Sequence, residues 1–322
     1  MFCVSHTRLS NCTINIPRKI GKYDVVKIIG KGGFAVVVLA IDQKSNKLVA
    51  IKIVSREELM RQNLIAYFEN ELRLSSRFNH PSIVSVYEVI YEKDSIMIVM
   101  EYLSNGDMHS ILSKGIKFNY EEQIKVATQM LEGLRYLHKR GICHRDIKIE
   151  NVLFDENMNA KLIDFGLSKE NSSALHTYCG TPFYMAPEVI LFDTYDGKKA
   201  DIWAFGVVMH IIATGHFPWA QKSEVQLIKE LKTMSIDLYI EPAGTIGNVI
   251  RNSLVFDYKE RASADDLIQI ITRDINHKAG MSKISYQAKK NYDAILPKLT
   301  IRNSTSSFAK IRRYNDNISL KY

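Results

Sequence analysis

At Ser104-Asn105-Gly106-Asp107 the hydrophobic pattern of this chain changes, and that change constrains the fold more than any other feature. Before it, from Tyr23 to about Ile53, apolar residues come in strand-like bursts. "YDVVKIIG" and "AVVVLAID" flank a glycine cluster, and "KLVAIKIV" follows a polar turn, "DQKSNK". One helix is then predicted: Ser55 and Glu58 fit a capping box, and Leu64, Phe68, Leu72 and Leu74 keep roughly helical spacing. "SIVSVYEVIYEKDSIMIVMEY" reads as two more strands around a turn at Lys93-Asp94. Five strands and one helix make a small, mostly β lobe.

After the switch the chain is helical. Asn119 with Glu122 can cap a segment in which Ile124, Ala127, Leu131, Leu134 and Leu137 form one face, ending at Gly141. "NVLFDENMNAKLIDFG" reads as a hairpin turning at Glu156-Asn157. "ADIWAFGVVMHIIATG" is apolar on nearly all sides, the mark of a buried central helix. Residues 1–22 lack periodicity and read as an extension, so the expected boundaries are a domain over 23–273, with lobes about 23–103 and 104–273, and a tail over 274–322.

Composition narrows the class. Of the 322 residues, 46% are hydrophobic and 24% charged, as in an ordinary soluble globular protein. Four cysteines (Cys3, Cys12, Cys143, Cys179) without metal-type spacing fit a reducing, intracellular setting. The apolar stretch Gly206–Thr214 is broken by His210 and too short to span a bilayer, and no apolar run marks a leader. The expectation is a cytoplasmic protein without a transmembrane segment, with nuclear entry left open. The formal charge of +8 lies in the tail: from Ile275 onward there are ten Lys/Arg and two Asp/Glu, whereas the rest balances. The folded part therefore carries no bias towards nucleic acid.

Four short stretches carry chemistry. In "GKGGFAVV", Gly30, Lys31, Gly32 and Gly33 open a loop whose backbone N–H groups can approach phosphates without a Cβ in the way, although a tight hairpin also wants glycine. A strand follows this loop, so a dinucleotide-binding fingerprint, which must open a helix, is excluded. In "VAIK", Lys52 is either a solvent-facing strand lysine or a phosphate-reaching one, the latter needing an acidic partner. Glu71 is the favoured partner and Glu69 the competitor. In "IDFG", Asp164 lies between apolar residues, where it needs either a salt bridge or a cation such as Mg²⁺. "CHRDIKIEN" crowds polar groups before a strand: Asp146 and Asn151 offer a proton acceptor and hard oxygen ligands, and Lys148 offers positive charge. His144 reads as a structural histidine packed under the loop rather than a base.

With "APE" (Ala186–Glu188) and "DIWAFG" (Asp201–Gly206), this set resembles the eukaryotic protein kinases, in order, over about 250 residues. The resemblance implies an α+β, two-lobed fold with a five-stranded antiparallel sheet plus one helix, and a larger helical lobe. It implies that the glycine loop covers ATP, that Lys52 binds the α and β phosphates, and that Glu71 pairs with Lys52. Asp146 would orient the substrate hydroxyl and accept its proton, Lys148 would neutralise the γ-phosphoryl, and Asn151 and Asp164 would hold Mg²⁺. It further implies a hinge at Glu101–Leu103, Met100 as gatekeeper and Asp107 near the ribose. Val37, Ala50 and Leu153 would enclose the adenine, and Arg261 would pair with Glu188. Phe165, Gly166, Thr181 and Asp201 would be structural. Lys148 and Thr181 resemble the serine/threonine branch, and the wording around Thr177 and Asp201 is most like the calmodulin-dependent and AMP-activated group. A pseudokinase scaffold is the alternative of a different class.

Three departures stand out: Ala35 replaces the third loop glycine, Ser75 a large apolar residue expected to pack against Phe165, and Ile211 an acidic residue. Thr177 is the expected activating phosphosite, meeting Arg145, ahead of Ser172, Ser173 and Tyr178. Protein substrates and an upstream activating kinase are the implied partners. The basic tail has three readings: a solvated extension, a calmodulin-type or autoinhibitory segment weakened by Pro297, or a diffuse polybasic patch.

Overall fold

The computed structural model describes residues 16–32, 35–61, 63–170, 175, 180–220 and 222–277. The N-terminal lobe is built on one antiparallel sheet. Its strands are β1 (Lys19–Ile20), β2 (Tyr23–Lys31), β3 (Ala35–Asp42), β4 (Leu48–Ser55), β5 (Val86–Tyr91) and β6 (Ser95–Glu101), in the order β1-β2-β3-β4-β6-β5. The sixth strand corrects the expectation of five. β1 lies within the supposed extension, where Ile20 is 1% exposed and packs with Tyr23 under the sheet. Two residues are too few to show periodicity, so only pairing with β2 reveals them.

Period-2 alternation divides the sheet into two faces. Val36, Val38, Val49, Ile51, Ile53, Met97 and Val99 point to one core. Val54, Ile96 and Ile98 point to the other, beneath Leu59, Phe68 and Leu72 of the helices. Those helices are two, not one: α1 (Arg56–Arg61) and α2 (Ile65–Ser75). The Ser55 hydroxyl does accept the Glu58 N–H at 3.2 Å. Asn63, at φ 56°, then breaks the helix, a conformation that asparagine tolerates better than most residues.

The C-terminal lobe contains α3 (Met108–Ser113), α4 (Tyr120–Lys139), α5 (Pro187–Leu191), α6 (Gly197–Thr214), α7 (Glu224–Lys232), α8 (Gly244–Ser253) and a last helix, α9, over 264–277. Asn119 and Glu122 form the predicted capping box of α4. α6 is buried along most of its length, from Asp201 to Ile212, and ends at Gly215, whose φ of 88° caps the helix. α8 packs so closely on it that a Cβ at Gly206 would lie 2.7 Å from that of Ser253. Between α4 and α5 lie β7 (Ile142–Cys143), β8 (Val152–Phe154), β9 (Ala160–Leu162) and β10 (Lys169–Glu170). β8 and β9 form the predicted hairpin, and β7 pairs with β10. No helix among the described residues is long and apolar enough to cross a membrane.

Candidate active site

The register of the sheet sets the upper wall. Val37 lies opposite Lys52 and Lys52 opposite Ile98, while Ala50 lies opposite Met100. Directly opposed residues share a face, so Val37, Ala50, Lys52 and Met100 all project from the side of the sheet that α2 covers. Gly30 and Lys31 pair with Val37 and Val36 next to a β-bulge, and the Gly32 N–H donates to the Ala35 carbonyl at 2.8 Å. Gly33 lies outside the described residues. Below, an isolated bridge joins Asp107 to Leu153 and brings the segment after β6 onto β8.

Two of the expected nucleotide contacts have other partners here. Glu101 forms an ion pair with Lys161 at 2.8 Å. Asp107 caps α3, accepting from the Ser110 N–H at 2.7 Å and its hydroxyl at 2.6 Å. Leu103 is buried.

Lys52 and Glu71 meet at 2.6 Å, and both are largely buried. Glu69 has no such contact among the described residues. Burial opposes the Lys52 charge, but the Glu71 and Asp164 carboxylates overcome it and push its pKa above the ordinary lysine value. Burial also pushes the Glu71 carboxyl up, with Asp164 adding to the shift against the pull of Lys52. Asp164 is ringed by protein yet reachable by solvent. Burial would raise its pKa, but the Lys52 charge and the Gly166 N–H, 3.3 Å from Oδ1, hold it below the usual carboxylate range. Asp164 adopts φ 64°, a strained conformation that persists only where its surroundings impose it.

Asp146 is the centre of a second cluster. Its Oδ2 accepts from the Lys148 ammonium at 2.7 Å and the Asn151 amide at 3.0 Å, and its Oδ1 from the Thr181 hydroxyl at 2.9 Å. The Asn151 amide nitrogen also donates to the Asp146 carbonyl, so the amide oxygen is the Asn151 atom that could serve as a ligand. Asn151 and Asp164 supply two hard oxygens, one of them held ionised. No group of three or more His, Cys, Asp or Glu among the described residues could cage a metal. That sparse donor set fits Mg²⁺, which keeps waters and is bound through one or two protein groups plus phosphate oxygens.

The backbone of the loop that carries Asp146 hangs from α6. Asp201 accepts the N–H groups of His144 and Arg145, each at 2.8 Å, with Arg145 at φ 71°. His144 is fully buried, its Nε2 3.0 Å from the Ile163 carbonyl and its ring against Phe165, which is the structural role expected of it. Arg261 grips Glu188 through two bonds of 2.5 and 2.9 Å. Thr177, Ser172, Ser173 and Tyr178 lie outside the described residues, as does the tail beyond 277.

Three functional contacts escaped the sequence reading. Thr181 was expected to be structural, yet it touches Asp146 directly and lies 3.1 Å from Lys148. His138, at the end of α4, bonds Asp201 at 2.9 Å. Phe78 lies 4.8 Å from the Phe165 ring, while the Ser75 hydroxyl donates to the Glu71 carbonyl. No local pattern marks the last two.

A family model described as the protein kinase domain matches residues 23–272. The chain belongs to the protein kinase family. CBL-interacting serine/threonine-protein kinase 19 of Arabidopsis thaliana is 38% identical over 217 residues, 66% of this chain and 45% of that protein. CBL-interacting protein kinase 10 of Oryza sativa subsp. japonica is 37% identical over 215 residues, 65% of this chain and 48% of that protein. The chain thus spans about half the length of the curated relatives it matches. The two-lobed α+β fold expected from its motifs is that of the kinase domain.

Proposed function

We propose that this kinase transfers the γ-phosphoryl of Mg·ATP to serine and threonine hydroxyls of protein substrates. The observation that carries the reading is the hydrogen-bonded cluster of Asp146, Lys148, Asn151 and Thr181, present together with a closed Lys52–Glu71 pair. Lys52, held charged, would bind α and β phosphate oxygens, while Gly30–Gly33 would cover them with backbone N–H groups. Asn151 and Asp164 would hold Mg²⁺, which neutralises charge on the phosphates when bound. Asp146 orients the incoming hydroxyl and accepts its proton. Lys148, already on Asp146, stabilises charge developing on the transferred group. Thr181 supports the serine/threonine assignment, as do the names of the relatives. A binding-only scaffold would have no use for this full set.

The same proposal includes regulation by phosphorylation of Thr177, whose phosphate would meet Arg145, and protein rather than nucleic-acid partners. The relatives' names record interaction with CBL proteins, which supports a protein partner for this kinase. A calmodulin-type partner for the basic tail belongs to the same proposal and rests on the tail's charge and apolar spacing alone. A cytoplasmic site of action fits the sparse cysteines.

The test is Asp146→Asn. Peptide phosphorylation with Mg·ATP should fall ~10²–10⁴-fold, the usual worth of a positioned base. Nucleotide binding should hold, because no Asp146 contact reaches Lys52. A parent protein that phosphorylates no serine or threonine peptide, or a variant as fast as the parent, would overturn the assignment.

A further inference from the structure

The segment from Gly166 to Glu170 touches two parts of the site that the reaction must hold together. Its strand, β10, pairs with β7, Lys169 against Cys143 and Glu170 against Ile142, and the Ser168 hydroxyl donates to the His144 carbonyl at 3.2 Å. β7 runs directly into the loop that carries Asp146. The same segment meets α2, the helix that carries Glu71. A Cβ on Gly166 would lie 3.7 Å from Glu71 Oε2, and the Asn70 amide donates to the Ser168 carbonyl at 2.7 Å. Glu170 makes the last contact. Its Oε2 lies 2.8 Å from the Arg73 guanidinium and its Oε1 3.6 Å from that of Arg77.

Spacing and charge make these contacts one unit. Asn70, Arg73 and Arg77 follow one another at intervals of three and four, which puts them on one side of α2 and of the turn that ends it. The Arg73 guanidinium also donates to the Asn70 side-chain oxygen at 3.0 Å, so the amide that holds Ser168 is itself held. Among the described residues, Glu170 is the one carboxylate within ion-pairing distance of either arginine. An isolated surface pair counts for little, whereas a carboxylate shared by two guanidiniums within a network is the arrangement that does count. Phe68 and Leu72 bury the apolar face of α2 under the sheet. Burial of that kind is non-directional, so it sets which face is covered and not how far the helix reaches towards Gly166.

We propose that Glu170 is a positioning residue: paired with Arg73 and Arg77, it latches α2 onto β10 and so keeps Glu71 on Lys52. Through β10 and β7 the latch also ties Lys52 to the loop that carries Asp146. It is made of unmodified side chains, so it works before any phosphorylation. The inference deepens the phosphoryl-transfer reading and rests on it for the activity readout.

Amide hydrogen exchange of the full chain, followed by mass spectrometry, compares the parent with Glu170→Gln, with Arg73→Gln/Arg77→Gln and with all three changes together. Each of the first two should speed exchange in α2 while leaving α4 and α8 as in the parent, because exposed pairs contribute little to global stability. Peptide turnover with Mg·ATP should fall about three- to tenfold in each, as expected when exposed pairs worth up to about fivefold apiece are lost. The triple variant should lose no more than the worse of the two, since both break the same contact. Glu170→Asp, which keeps the charge, should lose less than Glu170→Gln in both readouts. Losses that multiply in the triple variant would overturn the pairing, and unchanged exchange in α2 would overturn the latch. Faster exchange with parental turnover would overturn the positioning role, and equal losses in Glu170→Asp and Glu170→Gln would overturn its electrostatic origin. Exchange is read without phosphoryl transfer, so a parent that phosphorylates no peptide would sink the kinase reading while the latch stands or falls on exchange.

Discussion

Replacing Arg261 with methionine would strand the Glu188 carboxylate in the C-terminal lobe. Both side chains are at most 1% exposed, so neither water nor a second cation can take over. The guanidinium makes two bonds to Glu188, one of 2.7 Å to the Lys199 carbonyl and one of 2.9 Å to the Val255 carbonyl. Leaving a buried charge unpaired costs about 3–5 kcal/mol. Each orphaned carbonyl adds about 1 kcal/mol. The total is comparable with the whole stability of many domains, about 5–15 kcal/mol. Removing both charges should hurt less: Arg261→Met with Glu188→Leu should recover at least ~2 kcal/mol of the loss, because no buried ion remains. Urea unfolding followed by tryptophan fluorescence is the assay, since Trp203 lies 5.1 Å beneath the guanidinium. Where Arg261→Met is too unstable to purify, Arg261→Lys, which keeps the charge but loses the fork, should show an intermediate loss. A single variant within ~1 kcal/mol of the parent, or a double variant no more stable than the single, would refute the reasoning.

Thr181→Ala removes one bond to Asp146 and one to Lys148 while leaving the base in place, so turnover should drop by about tenfold with little change in thermal stability. A drop as large as that of Asp146→Asn would mean that Thr181 has a chemical role of its own. Ser75→Leu replaces a hydroxyl bonded to the Glu71 carbonyl with apolar surface beside Phe78 and Phe165, and basal turnover of unphosphorylated protein should rise a few-fold. A folded variant with unchanged or lower turnover would show that Phe78 already suffices. Burial lowers the pKa of His210 below its ordinary 6.5, even though both ring nitrogens face carbonyls, those of His216 and Tyr239. The unfolded chain then binds the proton more readily than the native one, so stability falls as pH drops from 6.5 through the lower native value. Denaturation midpoints measured in that window should fall less steeply in His210→Gln, and parallel curves would exclude His210 as a source of the loss.

The parts of this molecule that were legible in its sequence are those specified by neighbours along the chain. The alternation in "LVAIKIVS" puts Lys52 on the face opposite Ile51 and Ile53, and Asn119 with Glu122 marks the start of α4 from four consecutive residues. The break between α1 and α2 was hidden because the apolar spacing continues through it, whereas the positive φ at Asn63, among the described residues, interrupts the helix without leaving a mark in that spacing. β1 and His138 were hidden for a different reason. A two-residue strand has no period, and a histidine at a helix end means nothing until α6 brings Asp201 to within 2.9 Å of it. Ser75 shows where the two kinds of information meet. Its departure from the family can be read at one position, as a missing apolar contact on Phe165. What the structure puts there instead comes from Phe78, which lies beyond the end of α2 and reaches Phe165 only because the turn after Ser75 folds the chain back. A lost contact is local to one residue, whereas its replacement depends on chain path, which one-dimensional spacing does not encode. The Ser75→Leu experiment therefore measures how far a contact made through the fold can stand in for one written into the helix.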